Sequence, residues 1–78
     1  MKQKIFDEGN LQVLSDGDDF YVRYDAGAHQ PAIREDKISK DEADQIMSGK
    51  KEATKVLFAL QKRLIDANID AHKSNISD

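Results

Sequence analysis

Residues whose types could support chemistry gather first around one predicted turn. Asp16, Asp18 and Asp19 would supply carboxylate oxygens, which are the ligands that Ca²⁺ and Mg²⁺ prefer. Their spacing departs from that of a calcium-binding loop, which needs further acidic positions before its glycine and a glutamate beyond it. Aspartate and glycine are also the residues that a tight hairpin turn requires. We therefore interpret the cluster as a turn and predict no metal site.

Asp25 and His29 form the second candidate, because they flank a glycine-containing loop. An aspartate beside a histidine is a common arrangement in acid–base catalysis. However, the chain has no cysteine, and no motif around Ser15 or Ser39 supports a nucleophile. An enzyme using Asp25 and His29 is accordingly the least favoured of three functional hypotheses, and no cofactor is predicted.

Three lysines, Lys51, Lys55 and Lys62, share one face of a predicted helix and could contact phosphate groups. Acidic residues, among them Glu52 and Asp66, interrupt their surroundings. The net charge is −3, with −4 on residues 1–36 and +1 on residues 37–78. Because nucleic-acid binding usually shows as a basic domain, a nucleic-acid accessory role on this lysine face is the alternative function.

The first half of the chain predicts an antiparallel sheet. Alternating apolar residues and turn signals mark three strands and a possible fourth, at 3–7, 11–15, 20–25 and 30–35. The Asp16-Gly17 pair predicts a type I′ hairpin turn, in which both central residues need positive φ. Pro31 places the fourth strand at the sheet edge, because proline cannot donate to the ladder.

The second half predicts helices. Ser39 and Glu42 have the spacing of a capping box, so a short helix should cover 40–47, and Ser48-Gly49 should end it or kink it. A long helix follows over 50–68, with an apolar stripe at helical spacing. The stripe consists of Ala53, Val56, Leu57, Leu60, Leu64 and Ala67. The predicted class is α+β: a three- to four-stranded antiparallel meander packed against one long C-terminal helix. We expect one domain over 1–70 and a frayed tail over 71–78.

A second apolar ridge on the long helix does not belong to that stripe. Phe58, Ile65 and Ile69 lie roughly 120° or more from the centre of the stripe, and Thr54 continues this ridge toward the N-terminus of the helix. Either the short helix covers this ridge with Ile46 and Met47, or a second copy of the chain covers it. We predict the second, a homodimer, because a core this small gains from burial against another copy.

The leading hypothesis is a small non-enzymatic binding or regulatory protein that works as a homodimer. The acidic sheet half would meet a basic protein partner. The expected contact residues are Asp16, Asp18, Asp19, Tyr21 and Arg23. No apolar run is long enough to span a membrane, and the lack of cysteine and of a targeting segment favours the cytoplasm.

Overall fold

The computed structural model describes residues 2–27, 32–71 and 73–75. One sheet contains four antiparallel strands in the order β1-β2-β3-β4, and two helices follow it. The elements are β1 (Gln3–Asp7), β2 (Leu11–Asp16), β3 (Asp19–Asp25), β4 (Ile33–Ile38), α1 (Lys40–Ser48) and α2 (Lys50–Asp66). The predicted α+β meander is thus confirmed, with four strands.

The β2–β3 hairpin turns at Gly17 and Asp18, because Asp16 and Asp19 still pair across the ladder. Gly17 has a φ of +62°, whereas Asp18 is not among the residues with positive φ. Positive φ at the first central position alone is the requirement of a type II′ turn. The predicted type I′ turn at Asp16-Gly17 is therefore wrong in type and displaced by one residue.

The fourth strand lies at the sheet edge as predicted, but it occupies Ile33–Ile38 rather than 30–35. Its start follows a loop closed by Asp25, whose Oδ1 accepts hydrogen bonds from the backbone N–H groups of Gly27 (2.9 Å) and Ala32 (3.0 Å). It extends to Ile38 because Ile38 pairs with Phe20 and is buried. Pro31 lies outside the described residues.

The inward face of the sheet and both helices share one apolar core. α1 contacts β2, β3 and α2, while α2 contributes the stripe predicted for it. The buried apolar residues are Val13, Val22, Tyr24, Ala26, Ile38, Ala43, Ile46, Ala53, Val56, Leu60, Leu64 and Ala71. Leu57 of the predicted stripe is half-buried and Ala67 is exposed.

The start of α1 has the predicted capping box. The Ser39 hydroxyl accepts a hydrogen bond from the Glu42 backbone N–H (3.1 Å), and the Glu42 carboxylate accepts one from the Ser39 backbone N–H (3.0 Å). These bonds satisfy two N–H groups that have no partner within the helix. Gly49 then separates α1 from α2 with a φ of +157°, a backbone geometry that side-chain-bearing residues rarely adopt. Two helices are therefore present rather than one bent helix.

α2 ends in a Schellman motif, which reverses the chain direction. Asn68 has a φ of +61° and donates its backbone N–H to the Ile65 carbonyl (3.0 Å). The Ile69 N–H donates to the Leu64 carbonyl (2.9 Å). These two bonds are those that define the motif, and Asn is one of the residues that tolerate its left-handed position. The chain is thereby directed back towards β4.

The segment after α2 packs on β4 instead of fraying. Ala71 is buried, and the Ser74 hydroxyl donates to the Ile33 carbonyl (2.6 Å). The Asn75 side chain accepts from the Glu35 N–H (2.8 Å) and donates to the Glu35 carbonyl (2.7 Å). The prediction of a frayed tail is therefore wrong for residues 71 and 73–75, because their polar groups satisfy backbone groups of an edge strand. Residues 72 and 76–78 lie outside the described part of the chain.

Candidate functional site

The outer ridge, defined as Thr54, Phe58 and Ile65 on α2 and Ile69 just beyond its end, contains the three most exposed large apolar side chains of the described chain. Phe58 is 67% exposed, Ile65 59% and Ile69 45%. Thr54 is also exposed, and its hydroxyl donates to the Lys50 carbonyl (2.9 Å). Isolated apolar residues are common on protein surfaces, whereas a continuous row of them is typical of a contact surface.

The fold leaves this ridge uncovered because the helix can bury only one side. The stripe that includes Leu60 and Leu64 faces the core, and the ridge lies on the far side of the same helix. Ile46 is buried in the core and Met47 packs partly against it. The alternative that α1 covers the ridge is therefore wrong for the described chain.

The acidic turn, defined as Asp16, Asp18 and Asp19, projects from the end of the β2–β3 hairpin. Asp18 and Asp19 are exposed, and Asp16 is half-buried. One Asp19 carboxylate oxygen lies 3.3 Å from the Lys37 ammonium on β4. Both partners are exposed, so solvent screens this ion pair strongly. Two of the three carboxylates thus remain accessible to an external cation or basic group.

Tyr21 lies on the outward face of the sheet beneath the Lys2 side chain. The Lys2 ammonium is 4.3 Å from the centroid of the Tyr21 ring, a cation–π distance, and it also donates to the Glu35 carboxylate. Its bond to Glu35, with the nearby charges of Tyr21 and Asp16, raises the pKa of Lys2. Lys2 therefore links Tyr21 on β3 to Glu35 on β4, and it makes this part of the sheet mixed in charge rather than purely acidic.

Arg23 lies two positions further along β3, apart from the acidic turn. It pairs in register with Gln12 and Glu35. Together with residues of both neighbouring strands it lines a depression of about 270 Å³. The described lining residues are Gly9, Asn10, Gln12, Arg23, Tyr24 and Ile33. Arg23 is thus separate from the acidic turn, and Tyr21 lies between them on the same face of β3.

Asp25 has a structural role at the β3–β4 loop. The two backbone N–H groups that close the β3–β4 loop both bond to its Oδ1, and these bonds hold the pKa of Asp25 below its usual range. Asp25 does not line the depression beside Arg23 among the described residues. His29 lies outside the described part of the chain, so its distance from Asp25 is not defined.

The lysine face is exposed and flanks the outer ridge. Lys51, Lys55 and Lys62 all lie in solvent. Lys55 is 3.6 Å from the Glu52 carboxylate one turn away, which reduces the positive charge available to a phosphate. With apolar residues on one side and acidic residues interspersed, this face lacks the dense positive charge typical of a nucleic-acid surface.

A buried polar cluster formed by Tyr24, Arg34 and Asp36 was not foreseen from the sequence. Arg34 is 4% exposed, and its Nε and Nη2 donate to the two oxygens of Asp36 (3.0 and 2.9 Å). The Tyr24 hydroxyl donates to Asp36 Oδ2 (3.0 Å). Arg34 Nη1 reaches the carbonyls of Asp70 (3.1 Å) and Lys73 (2.7 Å). The sequence does contain one indication of this cluster. Side chains two positions apart in a strand point to the same face, so Arg34 and Asp36 lie on the same side of β4 as the apolar Ile38.

This cluster holds the fold together rather than supporting catalysis. Burial, together with the bond to Asp36, raises the pKa of Tyr24 to about 12, and Asp36 also raises the pKa of Arg34. Tyr24 therefore stays neutral and Arg34 charged at neutral pH. No buried side-chain nitrogen or oxygen in the described residues is without a hydrogen-bond partner, so the cluster has no unused group aimed at a ligand.

The chain matches no protein-family model, and comparisons with curated proteins and with solved structures find no match either. Within the described residues, no helix is both long and apolar enough to cross a membrane. Across the same residues, no three acidic, histidine or cysteine side chains converge as a metal site would require.

Replacing Arg34 with leucine should destabilise the fold by about 3–5 kcal/mol, because it leaves the Asp36 carboxylate buried without its partner. Chemical denaturation monitored by circular dichroism measures the change. Arg23→Leu is the matched control: this partly exposed arginine makes no ion pair within the described residues, and its replacement should change the free energy of unfolding by no more than about 0.5 kcal/mol. Equal losses for the two variants would contradict the role assigned to Arg34.

Stability should fall at high pH through ionisation of Tyr24. The folded-state pKa of about 12 lies above the ordinary value of 10.0, so the fold favours the neutral phenol. The resulting stabilisation is complete below pH 10.0 and is lost as the pH rises through about 12. An absorbance titration of the folded protein should show a tyrosinate transition near the upper value. Tyr24→Phe should abolish it, and its persistence in that variant would assign the transition elsewhere.

Proposed function

We propose that this protein is a small, non-enzymatic binding or regulatory protein that acts as a homodimer in the cytoplasm. The outer ridge of α2 is the dimer contact, and the acidic turn with Tyr21 is the surface for a basic protein partner. The observation that carries the proposal is the exposure of Phe58 and Ile65 on a helix whose other side is already buried.

The homodimer is supported by the position of the outer ridge. Its helical members, Thr54, Phe58 and Ile65, are exposed on the side of α2 opposite the buried stripe, so a second protein surface can reach them without any rearrangement. Covering it with a second copy would remove Phe58, Ile65 and Ile69 from water in both chains. A small domain gains proportionally more from such burial than a large one.

The contact with a basic partner is supported by the acidic turn. Asp18 and Asp19 project from a hairpin end, where a partner can approach without clashing with the sheet. Exposed charges of this kind act mainly on the rate of association and on its salt dependence. Lys2 places a positive charge beside Tyr21, and this charge repels a basic partner from the middle of the sheet. The partner would therefore contact the acidic turn first and the middle of the sheet second.

Phe58→Asp should convert the homodimer into a soluble monomer. The substituted side chain is largely exposed in the single chain, so the fold should persist, whereas a carboxylate at the centre of an apolar contact would be buried without a partner. Light scattering coupled to size-exclusion chromatography gives the mass. Gln45→Asp, at an exposed position of α1, introduces the same charge and should leave the dimer intact. A wild-type mass of one chain would remove the dimer hypothesis.

Reversing the acidic turn with Asp18→Lys and Asp19→Lys together should slow association with a basic ligand and flatten its salt dependence. An oligolysine peptide labelled with a fluorophore serves as the probe, with association rates measured at low and at physiological salt. Asp41→Lys with Asp44→Lys on α1 makes the same change in net charge at a distant site. If both double variants slow association equally, net charge rather than the turn governs the encounter.

A further inference from the structure

The depression beside Arg23 contains a positive charge that no described residue pairs with. It lies at the end of the sheet formed by the β1–β2 turn and the start of β4, and its volume is about 270 Å³. Besides Arg23, its described lining includes two residues with amide side chains, Asn10 and Gln12, and the exposed Ile33. Arg23 makes no ion pair within the described residues. Its guanidinium is therefore available to a group from outside the chain.

The carboxylates on the same face of the sheet bond to groups other than Arg23. Glu35 lies directly opposite Arg23 on β4 and accepts a bond from the Lys2 ammonium. Asp25, two positions further along β3, accepts both N–H groups of the β3–β4 loop through Oδ1. Asp7, on the far side of the same cross-strand row, pairs with the lysine three positions before it (3.0 Å). These carboxylates leave the guanidinium unpaired, but they make its surroundings negative.

The charges around Arg23 determine which kind of anion it can bind. A carboxylate is planar and can accept two parallel hydrogen bonds from a guanidinium. It carries a single negative charge, whereas a phosphate group carries about −1.5 to −2 and would be repelled more strongly by the surrounding carboxylates. Ile33 offers an apolar contact beside the charge. The C-terminal residue of a protein combines the two groups required, because its carboxylate has a pKa of about 3.5 and its side chain can be apolar.

We infer that Arg23 binds the C-terminal carboxylate of the basic partner, with the last side chain of that partner against Ile33. This inference rests on the proposed contact of the acidic turn with a basic protein, and it specifies which part of that protein makes the contact. Asp19, Tyr21 and Arg23 share one face of β3. With a rise of about 3.3 Å per residue, Asp19 is about 13 Å from Arg23 along the strand. An extended peptide covers this distance in about four residues, so the partner should carry a lysine or arginine about four positions before its C-terminus.

The residues of the partner between these two contacts should be uncharged. They would pass over Tyr21, where the Lys2 ammonium lies 4.3 Å from the centroid of the ring. A further positive charge at this level would be repelled, and a negative one would compete with Glu35 for Lys2. The expected sequence at the end of the partner is thus a basic segment, three uncharged residues and an apolar C-terminal residue.

Two matched peptides test this inference. Each has an N-terminal fluorophore, three lysines, three uncharged residues and a C-terminal leucine; one ends in a free carboxylate and the other in a carboxamide. Fluorescence anisotropy at low salt should show that the wild-type protein binds the carboxylate form about three- to tenfold more tightly, since the bond to a charged group is only partly screened here. Arg23→Gln should reduce binding of the carboxylate form to that of the carboxamide form and leave the carboxamide form unaffected. Circular dichroism should show that this variant keeps the fold, because Arg23 is only partly buried.

The acidic-turn variant separates this inference from the hypothesis on which it rests. Asp18→Lys with Asp19→Lys should weaken both peptides, because it acts on their lysines and not on their ends. If neither peptide binds the wild-type protein, the basic-partner hypothesis and the role of Arg23 are both wrong. If both peptides bind equally and both depend on the acidic turn, the basic partner is retained and the role of Arg23 is overturned. Equal weakening of the two peptides by Arg23→Gln would also overturn it, since the loss would not depend on the carboxylate.

Discussion

The inward face of the sheet, α1 and one stripe of α2 enclose a single apolar cluster, and the rest of the structure depends on this contact. The sheet is only four strands wide, so it can cover one side of the helical layer and no more. α1 fills much of the space above β2 and β3 with Ala43 and Ile46, and α2 must pack beside it. The far side of α2 is consequently left in water. The outer ridge is thus a consequence of the size of the sheet as much as of the sequence of the helix.

The second constraint is electrostatic. Arg34 is a charged residue in an apolar interior, where an uncompensated charge would be costly. Asp36 takes two of its hydrogen bonds, and the carbonyls of residues 70 and 73 take others, so the charge is neutralised and the guanidinium is well bonded. These carbonyls belong to the segment that follows the Schellman turn. The cluster therefore holds the short polar segment that follows α2 against the rest of the domain.

Elements set by local rules could be predicted from the sequence. The capping box at Ser39, the break at Gly49 and the buried stripe of α2 depend on residues within one or two helical turns. The sequence pattern puts the start of β4 too early, because the actual start depends on the loop closed by Asp25, which joins residues seven positions apart. The docking of the C-terminal segment could not be predicted, since Arg34 meets carbonyls 36 and 39 residues further along the chain. The periodicity of the sequence identifies the outer ridge. Its exposure could not be predicted, because it depends on α1 packing into the core instead of over the ridge.

Glu35 connects the two ends of the described chain. The side chain of Lys2 bonds to its carboxylate on one side, and the side chain of Asn75 bonds to its backbone on the other. Both end segments of the described chain are consequently bonded to the same residue of β4, although almost the whole sequence separates them. Release of one segment from Glu35 should weaken the attachment of the other, so we expect the two segments to separate from β4 together.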